Sequence, residues 1–334
     1  MSTFIRAVEV WLPTDDGQLL ELGGGLYPGA AAFGQASRHL CFGRAEGLPG
    51  QAWDEARPVL LTQFDGSTFR RTALALAAGL HSAVALPIFI DDRLSSVVVL
   101  LCGPAGTGQG AIELWHNDPR ITGDLRLAAG LFGADSQALQ HLSEDAFLPR
   151  GSGLPGRAWQ RQTAVFAAQL DGHPQFLRAQ TAAAAGIVRG LAVPCATLGA
   201  HTWVLNLLSS RSSPIARRVE SWLPGAAGGG YQRSFGHCEI SGALAAGEWI
   251  GADVDAAPGV APALAPALAP ALAPAGGFGP IGIAFASGRA VVAENLAGQP
   301  DPLTASAAAL GLTSVLALPV GDGAAVGEVL ALYF

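Results

Sequence analysis

Two histidines stand in matching places. His39 and His141 each precede a leucine on a short helical stretch, a few residues ahead of a glycine-rich block. An imidazole there could ligate a haem iron or hold a ligand carboxylate. Cys41 lies two residues beyond His39 and is the one thiol placed for redox work. The other cysteines, Cys102, Cys195 and Cys238, form no CxxC pair with it or with each other. Zinc and thioredoxin-like chemistry therefore fail on spacing. Cys102 and Cys195 sit in or beside apolar runs, where a free thiol behaves as a small hydrophobe. Trp53 and Trp159 follow the glycine-rich blocks at a fixed offset, and Phe285 takes that place in a third copy. An aromatic there could floor a ligand pocket, although core packing is the commoner use of so much apolar area. Asp65 and Asp171 recur, each before a glycine, which is turn chemistry first. No Ser/His/Asp set and no pair of carboxylates recurs, so the reading is of a protein that is not an enzyme.

The glycine blocks define the elements that must position these residues. Gly47-Leu48-Pro49-Gly50-Gln51-Ala52-Trp53 returns as Gly153 to Trp159 and, weakened, as Gly279 to Phe285. A second block runs from Gly79 to Pro87, from Gly186 to Pro194 and from Gly311 to Pro319. Self-similarity at this period decides the architecture before residue chemistry does. Each copy opens with a strand signature: Val8 to Pro13, Ile112 to Trp115, and Val219 to Pro224. The first continues through an Asp-Gly turn into a return strand over Gln18 to Leu22. Helices are predicted over Gly34 to Phe42, Asp135 to Leu142 and from Gln51 to Ala56. A longer one is predicted over Phe69 to Ala78, with alanine-rich counterparts over Phe176 to Ala185 and Leu303 to Leu310. Gly79, Gly186 and Gly311 then supply the left-handed stop. Strands follow over Ser82 to Ile88 and Leu94 to Cys102, with counterparts in both later copies. This order argues an α+β fold, each copy an antiparallel β-sheet flanked by short helices. The repeats are placed at 1–105, 108–213 and 216–334. An Ala/Pro-rich insertion occupies 256–277, where Pro262, Pro266, Pro270 and Pro274 recur every four residues and exclude a membrane helix.

Together these residues resemble the GAF domain. The resemblance rests on the Gly-x-Pro-Gly-x-x-Trp helix and the Arg57-Pro58-Val59 strand. It rests also on Asp65 with Phe69 and Arg70, the Ala-Gly-Leu-x-Ser stop and the Val-Ala-Leu-Pro strand. It covers most of the first two repeats and Gly279 to Phe334 of the third. It implies a six-stranded antiparallel sheet, often with a small-molecule pocket between sheet and covering loops. His39, Cys41, Trp53, His141 and Trp159 are the candidates for that pocket. Three chemistries of the family find no footing. The cyclic-nucleotide signature needs a lysine, and this chain has none. Methionine sulfoxide reduction needs a third cysteine beside Cys41 and Cys102. His237-Cys238 reverses the order of the bilin attachment pair.

Composition bounds the rest. The chain has 334 residues, half of them hydrophobic and 13% charged, with a net charge of −7. Burial is plentiful and no basic tract exists, so nucleic acid is a poor partner. The first ten residues carry no apolar signal region, and a reduced cytoplasm is the simplest setting. No cofactor or metal is implied. The expected function is a non-catalytic, regulatory binding or scaffolding component acting through protein partners, without membrane contact. The alternative is a small-molecule sensor with pockets in the first two repeats.

Overall fold

The computed structural model describes residues 3–104, 110–173, 176–195, 198, 201–225, 230–251, 279–298 and 301–334. The Ala/Pro-rich segment 256–277 lies outside them. Three antiparallel sheets build the molecule. The first joins β1 (Ile5–Pro13), β2 (Leu20–Leu26), β3 (Cys41–Phe42), β4 (Val59–Leu61), β5 (Ser82–Ile90) and β6 (Arg93–Cys102) in the order β3-β2-β1-β6-β5-β4. Its helices are α1 (Ala31–Ser37), α2 (Gly47–Glu55) and α3 (Thr72–Ala77). The second joins β7 (Gly110–Asn117), β8 (Arg126–Phe132), β9 (Val165–Ala167), β10 (Ile187–Cys195) and β11 (Thr202–Ser210) in the order β8-β7-β11-β10-β9. A bridge between Leu125 and Leu148 stands where β3 stands in the first. Its helices are α4 (Gln137–Glu144), α5 (Gly153–Arg161) and α6 (Ala179–Ala184).

The third sheet contains β12 (Arg218–Pro224), β13 (Gly230–Cys238), β14 (Gly242–Leu244), β15 (Trp249–Gly251), β16 (Val291–Glu294), β17 (Ser314–Gly321) and β18 (Val326–Tyr333). Its order is β14-β13-β12-β18-β17-β16, with β15 also paired to β13. α7 (Gly279–Ser287) and α8 (Ala305–Ala308) accompany it. The expected α+β class with antiparallel sheets is what the chain adopts.

Both faces of each sheet are covered. On β1, Ala7 and Trp11 face the helices while Val8 and Val10 face the other two sheets. On β11, Val204 and Leu208 face the helices, and Leu205 and Leu207 face inward. β17 divides Val315 and Ala317 from Leu316, Leu318 and Val320 in the same way. One apolar core therefore joins all three sheets. Double burial explains why these strands are nearly continuous apolar runs and not polar-apolar alternations.

The sheets meet in a closed ring. The Ala164 amide, just ahead of β9, donates to Glu328 Oε2 on β18 at 2.6 Å. The Ala290 amide, just ahead of β16, donates to Ser96 Oγ on β6 at 3.2 Å. The matching residue ahead of β4 is Pro58, which has no N–H, and the facing position on β11 is an apolar Trp203. There the Arg57 guanidinium lies 5.1 Å from the indole centroid. Packing at the seams is equally paired by size. Phe166 stacks on Phe235 between the second and third sheets. Val292 presses on Gly24 between the third and first, where a Cβ would lie 2.5 Å from Val292 Cγ2. Each sheet thus docks its β4-type edge strand on the next, and the cycle closes, as heterologous interfaces do in rings.

Gly79, Gly186 and Gly311 follow their helices with φ of 71°, 72° and 75°. Two expectations change. The stretch Gly34 to Phe42 is helical only to Ser37, and Cys41–Phe42 pairs with β2. The helices predicted from Phe69, Phe176 and Leu303 begin only at Thr72, Ala179 and Ala305; ahead of the first two, Arg71 and Arg178 have non-helical backbone and turn their side chains inward.

Candidate functional site

The glycine block is the first turn of a helix, not the loop ahead of it. α2 begins at Gly47 and α5 at Gly153, at φ of 57° and 63°. The second glycine allows a close approach. A Cβ at Gly50 would lie 2.0 Å from the Gly43 carbonyl oxygen, and at Gly156 2.4 Å from that of Pro149. In return, Ala45 N–H donates to Gly50 O at 2.9 Å and Gly151 N–H to Gly156 O at 2.8 Å. The helix is thereby pinned to the loop that covers the sheet.

Beneath this cover each unit buries a carboxylate. In the first, Glu9 on β1 is fully buried. It accepts Trp11 Nε1 at 3.1 Å, Ser37 Oγ at 2.7 Å, Tyr27 Oη at 3.2 Å and both Arg71 Nη atoms. In the second, Glu113 accepts Trp115 Nε1 at 2.9 Å, Ser143 Oγ at 2.9 Å, Asn206 Nδ2 at 2.8 Å and both Arg178 Nη atoms. Burial acts to raise the Glu113 carboxyl, but Arg178 and these neutral donors outweigh it and hold it below the usual range. In the third, Glu220 meets Arg218 at 2.5 Å and Arg233 at 3.0 Å, and Trp222 Nε1 donates to it at 3.4 Å. The third unit draws its arginines from β12 and β13, because the buried Leu303 stands where Arg71 and Arg178 stand, eight residues before the glycine stop. Carboxylates paired so closely with arginine and indole donors are structural ties between strand and cover.

The arginine that matters is thus Arg71, not the Arg70 that the motif singled out. Arg70 is exposed and pairs with Glu46 at the rim. Its counterpart in the second unit is Leu177, and Ser152 replaces Glu46. With no ion pair closing the rim, the second unit keeps a cavity of about 160 Å³, lined by Phe147, Leu148, Leu154, Pro155, Phe176 and Arg178, among others. Its lip is apolar and exposed: Phe147 is 52% and Leu177 76% accessible. In the first unit Phe33, Phe64 and Phe69 pack together around Arg71 in the equivalent space.

The sequence candidates fall differently. His39 lies in an exposed turn, Cys41 is exposed on β3 and His141 is exposed on α4. None lines the cavity of the second unit. Trp53 is buried in the core of the first unit. Trp159 is half-buried with the Arg150 guanidinium 5.8 Å from its ring centroid. Asp65 and Asp171 sit in turns whose glycines have φ of 73° and 67°. His237 and Cys238 end β13; His237 lies 3.5 Å from Glu239, and Cys238 is buried. Burial pushes the Cys102 thiol up to about 12, well out of the reactive range. Reading for chemistry missed Glu9, Glu113 and Glu220. The signal was present, since glutamate stands two residues before the tryptophan in all three opening strands. Among the described residues, no three of His, Cys, Asp and Glu come together as a metal site, and no helix is long and apolar enough to cross a membrane.

The strand order and the covering helices give the units a GAF-like fold, with the pinned glycine turn shared by the first two. No protein-family model matches the chain, and no curated protein matches it. Among solved structures the chain is similar to free methionine-R-sulfoxide reductase from Neisseria meningitidis, solved in complex with its substrate. That match has 22% identity, 30% of this chain, 53% of that one and a TM-score of 0.24. It is similar to the GAF domain of an Acinetobacter phosphoenolpyruvate-protein phosphotransferase, at 16% identity over 30% and 56% of the two chains, with a TM-score of 0.23. It is also similar to the second GAF domain of DevS from Mycobacterium smegmatis, at 21% identity over 30% and 62%, with a TM-score of 0.22. The matched region spans somewhat more than half the length of these structures.

Proposed function

We propose that the chain is a non-catalytic regulatory component that binds a protein partner, and that the second unit is where it binds. The observation that carries this reading is the apolar socket between Phe147 and Leu177. Its volume of about 160 Å³ is close to a cavity of ~150 Å³ that holds one benzene. It is well under the roughly 300–1,000 Å³ of small-molecule sites. One large apolar side chain fits it, and the exposed lip gives the neighbouring residues of a partner apolar ground to cover. The arginine-paired carboxylates of all three units support a role without catalysis. A second reading keeps the same socket for a compact apolar small molecule the size of a single ring. The first unit suits neither, since Arg70 and Glu46 close its rim.

The test rebuilds that closure in the second unit, as Leu177→Arg with Ser152→Glu. A photoreactive phenylalanine analogue at Phe147 is carried in both proteins and irradiated in the native host. A protein adduct that forms with the parent and disappears with the double substitution is the expected result. An adduct that persists after closure places the contact elsewhere. A co-purifying small molecule that closure removes, without any protein adduct, favours the second reading.

A further inference from the structure

Glu328 differs from every other buried glutamate in the three units. Glu9, Glu113 and Glu220 each face an arginine. Glu328 is fully buried on the face of β18 that meets the second unit, and only neutral groups reach it. Its Oε2 accepts the Ala164 amide of the second unit at 2.6 Å, and its Oε1 is bonded to Ser221 Oγ on β12. The neighbouring strand β17 places Val320 opposite it. No charged side chain of β12, β17 or the segment ahead of β9 pairs with it among the described residues.

An unpaired carboxylate in such a place costs several kcal/mol, and the group neutralises instead. As a neutral acid it is fully satisfied. It donates its proton to Ser221 Oγ and still accepts the Ala164 amide. Burial accordingly pushes the carboxyl up to about 7, with Ser221 and the Ala164 amide drawing it slightly back. Ionisation leaves a buried negative charge held by two neutral donors at the junction of two units.

We propose that Glu328 is a proton-operated latch, closed when neutral, whose ionisation loosens the seam between the second and third units and no other. The matching positions at the other seams are Ser96 and Trp203, which carry no charge at any pH of interest. The second–third seam also holds Arg189, bidentate on Glu239, and His237 beside Glu239. Burial acts to raise Glu239, but His237 and Arg189 hold it at about 2. That carboxylate therefore stays ionised beside Arg189 over the range in which Glu328 changes its charge. At the first–second seam His116 and His201 lie 3.2 Å apart beside Trp203, so pH effects there must be read separately. Burial leads in depressing His116, followed by the adjacent His201.

The direction follows from linkage. Glu328 binds its proton up to about pH 7 in the closed seam, whereas an exposed glutamate releases it near ~4.3. The latch is therefore fully effective below ~4, weakens as pH rises through about 7, and is constant above that. Each unit of difference is worth about a factor of ten.

Hydrogen exchange on the full chain reads this seam by seam, with rates corrected for intrinsic pH dependence. Protection at Ala164 to Ala167 should fall roughly a hundredfold between pH 5 and pH 8.5, while Val291 to Glu294 changes little. In Glu328→Gln the fall at Ala164 to Ala167 should vanish. An equal response at both seams, or a response that survives in Glu328→Gln, overturns the proposal. If that variant does not fold, the carboxyl carbon shift of Glu328 in the unaltered chain decides. A titration midpoint near 7 supports the latch, and one near 4.5 overturns it.

Discussion

At the scale of residues, the three units solve one problem with different parts. A carboxylate on the first strand ties the sheet to its cover, and removing either member of such a buried pair strands the other charge. The first two units take the arginine from the residue ahead of α3 or α6, whose backbone there is not helical. The third takes it from its own sheet. Arg70 and Arg71 are adjacent, and the mark of the buried one in the sequence is its recurrence as Arg178, eight residues before the glycine stop, where Arg70 gives way to Leu177. The aromatic pair divides similarly. Trp53 is 8% accessible, so Trp53→Ala should cost about 3–5 kcal/mol, as large core truncations do. Trp159 is half-buried under Arg150, and Trp159→Ala should cost clearly less. Urea unfolding of the two variants checks the order. A larger loss at Trp159 would mean that the second unit leans on that ring as its main support.

At the scale of elements, the sequence was most legible where period and punctuation agreed. The opening strands, the glycine stops and the paired strands β5 with β6, β10 with β11 and β17 with β18 were all placed within a few residues. Illegible were β8 and β13, the return strands of the later units. Both mix glycine or polar residues with apolar ones, and pairing alone makes them strands. Each is bulged opposite the tryptophan of its partner, as β2 is, and a bulge breaks the alternation that a strand is recognised by. The socket was illegible for another reason. It exists because Leu177 and Ser152 replace an ion pair, a difference that has meaning only once the two rims are superposed. The helix-start glycines carry the prediction at this scale. Gly50→Ala drives a Cβ to 2.0 Å from a backbone oxygen, and Gly156→Ala to 2.4 Å. Backbone cannot step aside as a side chain can, so each should lose at least the ~1–3 kcal/mol typical of overpacking, with Gly50→Ala the worse. Thermal unfolding measures it; unchanged melting temperatures would show that the loop yields freely and is not what pins the helix.

At the scale of the whole molecule, the units are parts of one body. The face that each sheet turns inward is apolar over its centre: Ile112, Leu114, Leu191, Val193, Leu205 and Leu207 in the second unit alone. The junction 211–217 is also built in. Ile215 and Ala216 are buried, and the Pro214 carbonyl accepts the Phe4 amide at 2.7 Å. Such a connection is a piece of core, unlike the exposed tethers between independent domains. A unit cut free would present an apolar patch of the kind that marks an interface or an aggregation site. Residues 108–213 produced alone should therefore associate or precipitate, although all their helix-side contacts are intact. Adding the two remaining thirds as separate chains should restore solubility, since the seams are contacts in space and need no covalent link. Cleavage engineered at 211–217 should leave the pieces together through gel filtration, with their far-ultraviolet circular dichroism unchanged. The ring should also reject wrong neighbours. The Phe166 face needs Phe235, and the Val292 face needs a glycine at 24. Gly24→Phe should consequently break the third–first seam, where Val292 leaves no room for a ring. A soluble, monomeric and fully folded 108–213 would refute this account, because it would show that the inward face is not held by its neighbours.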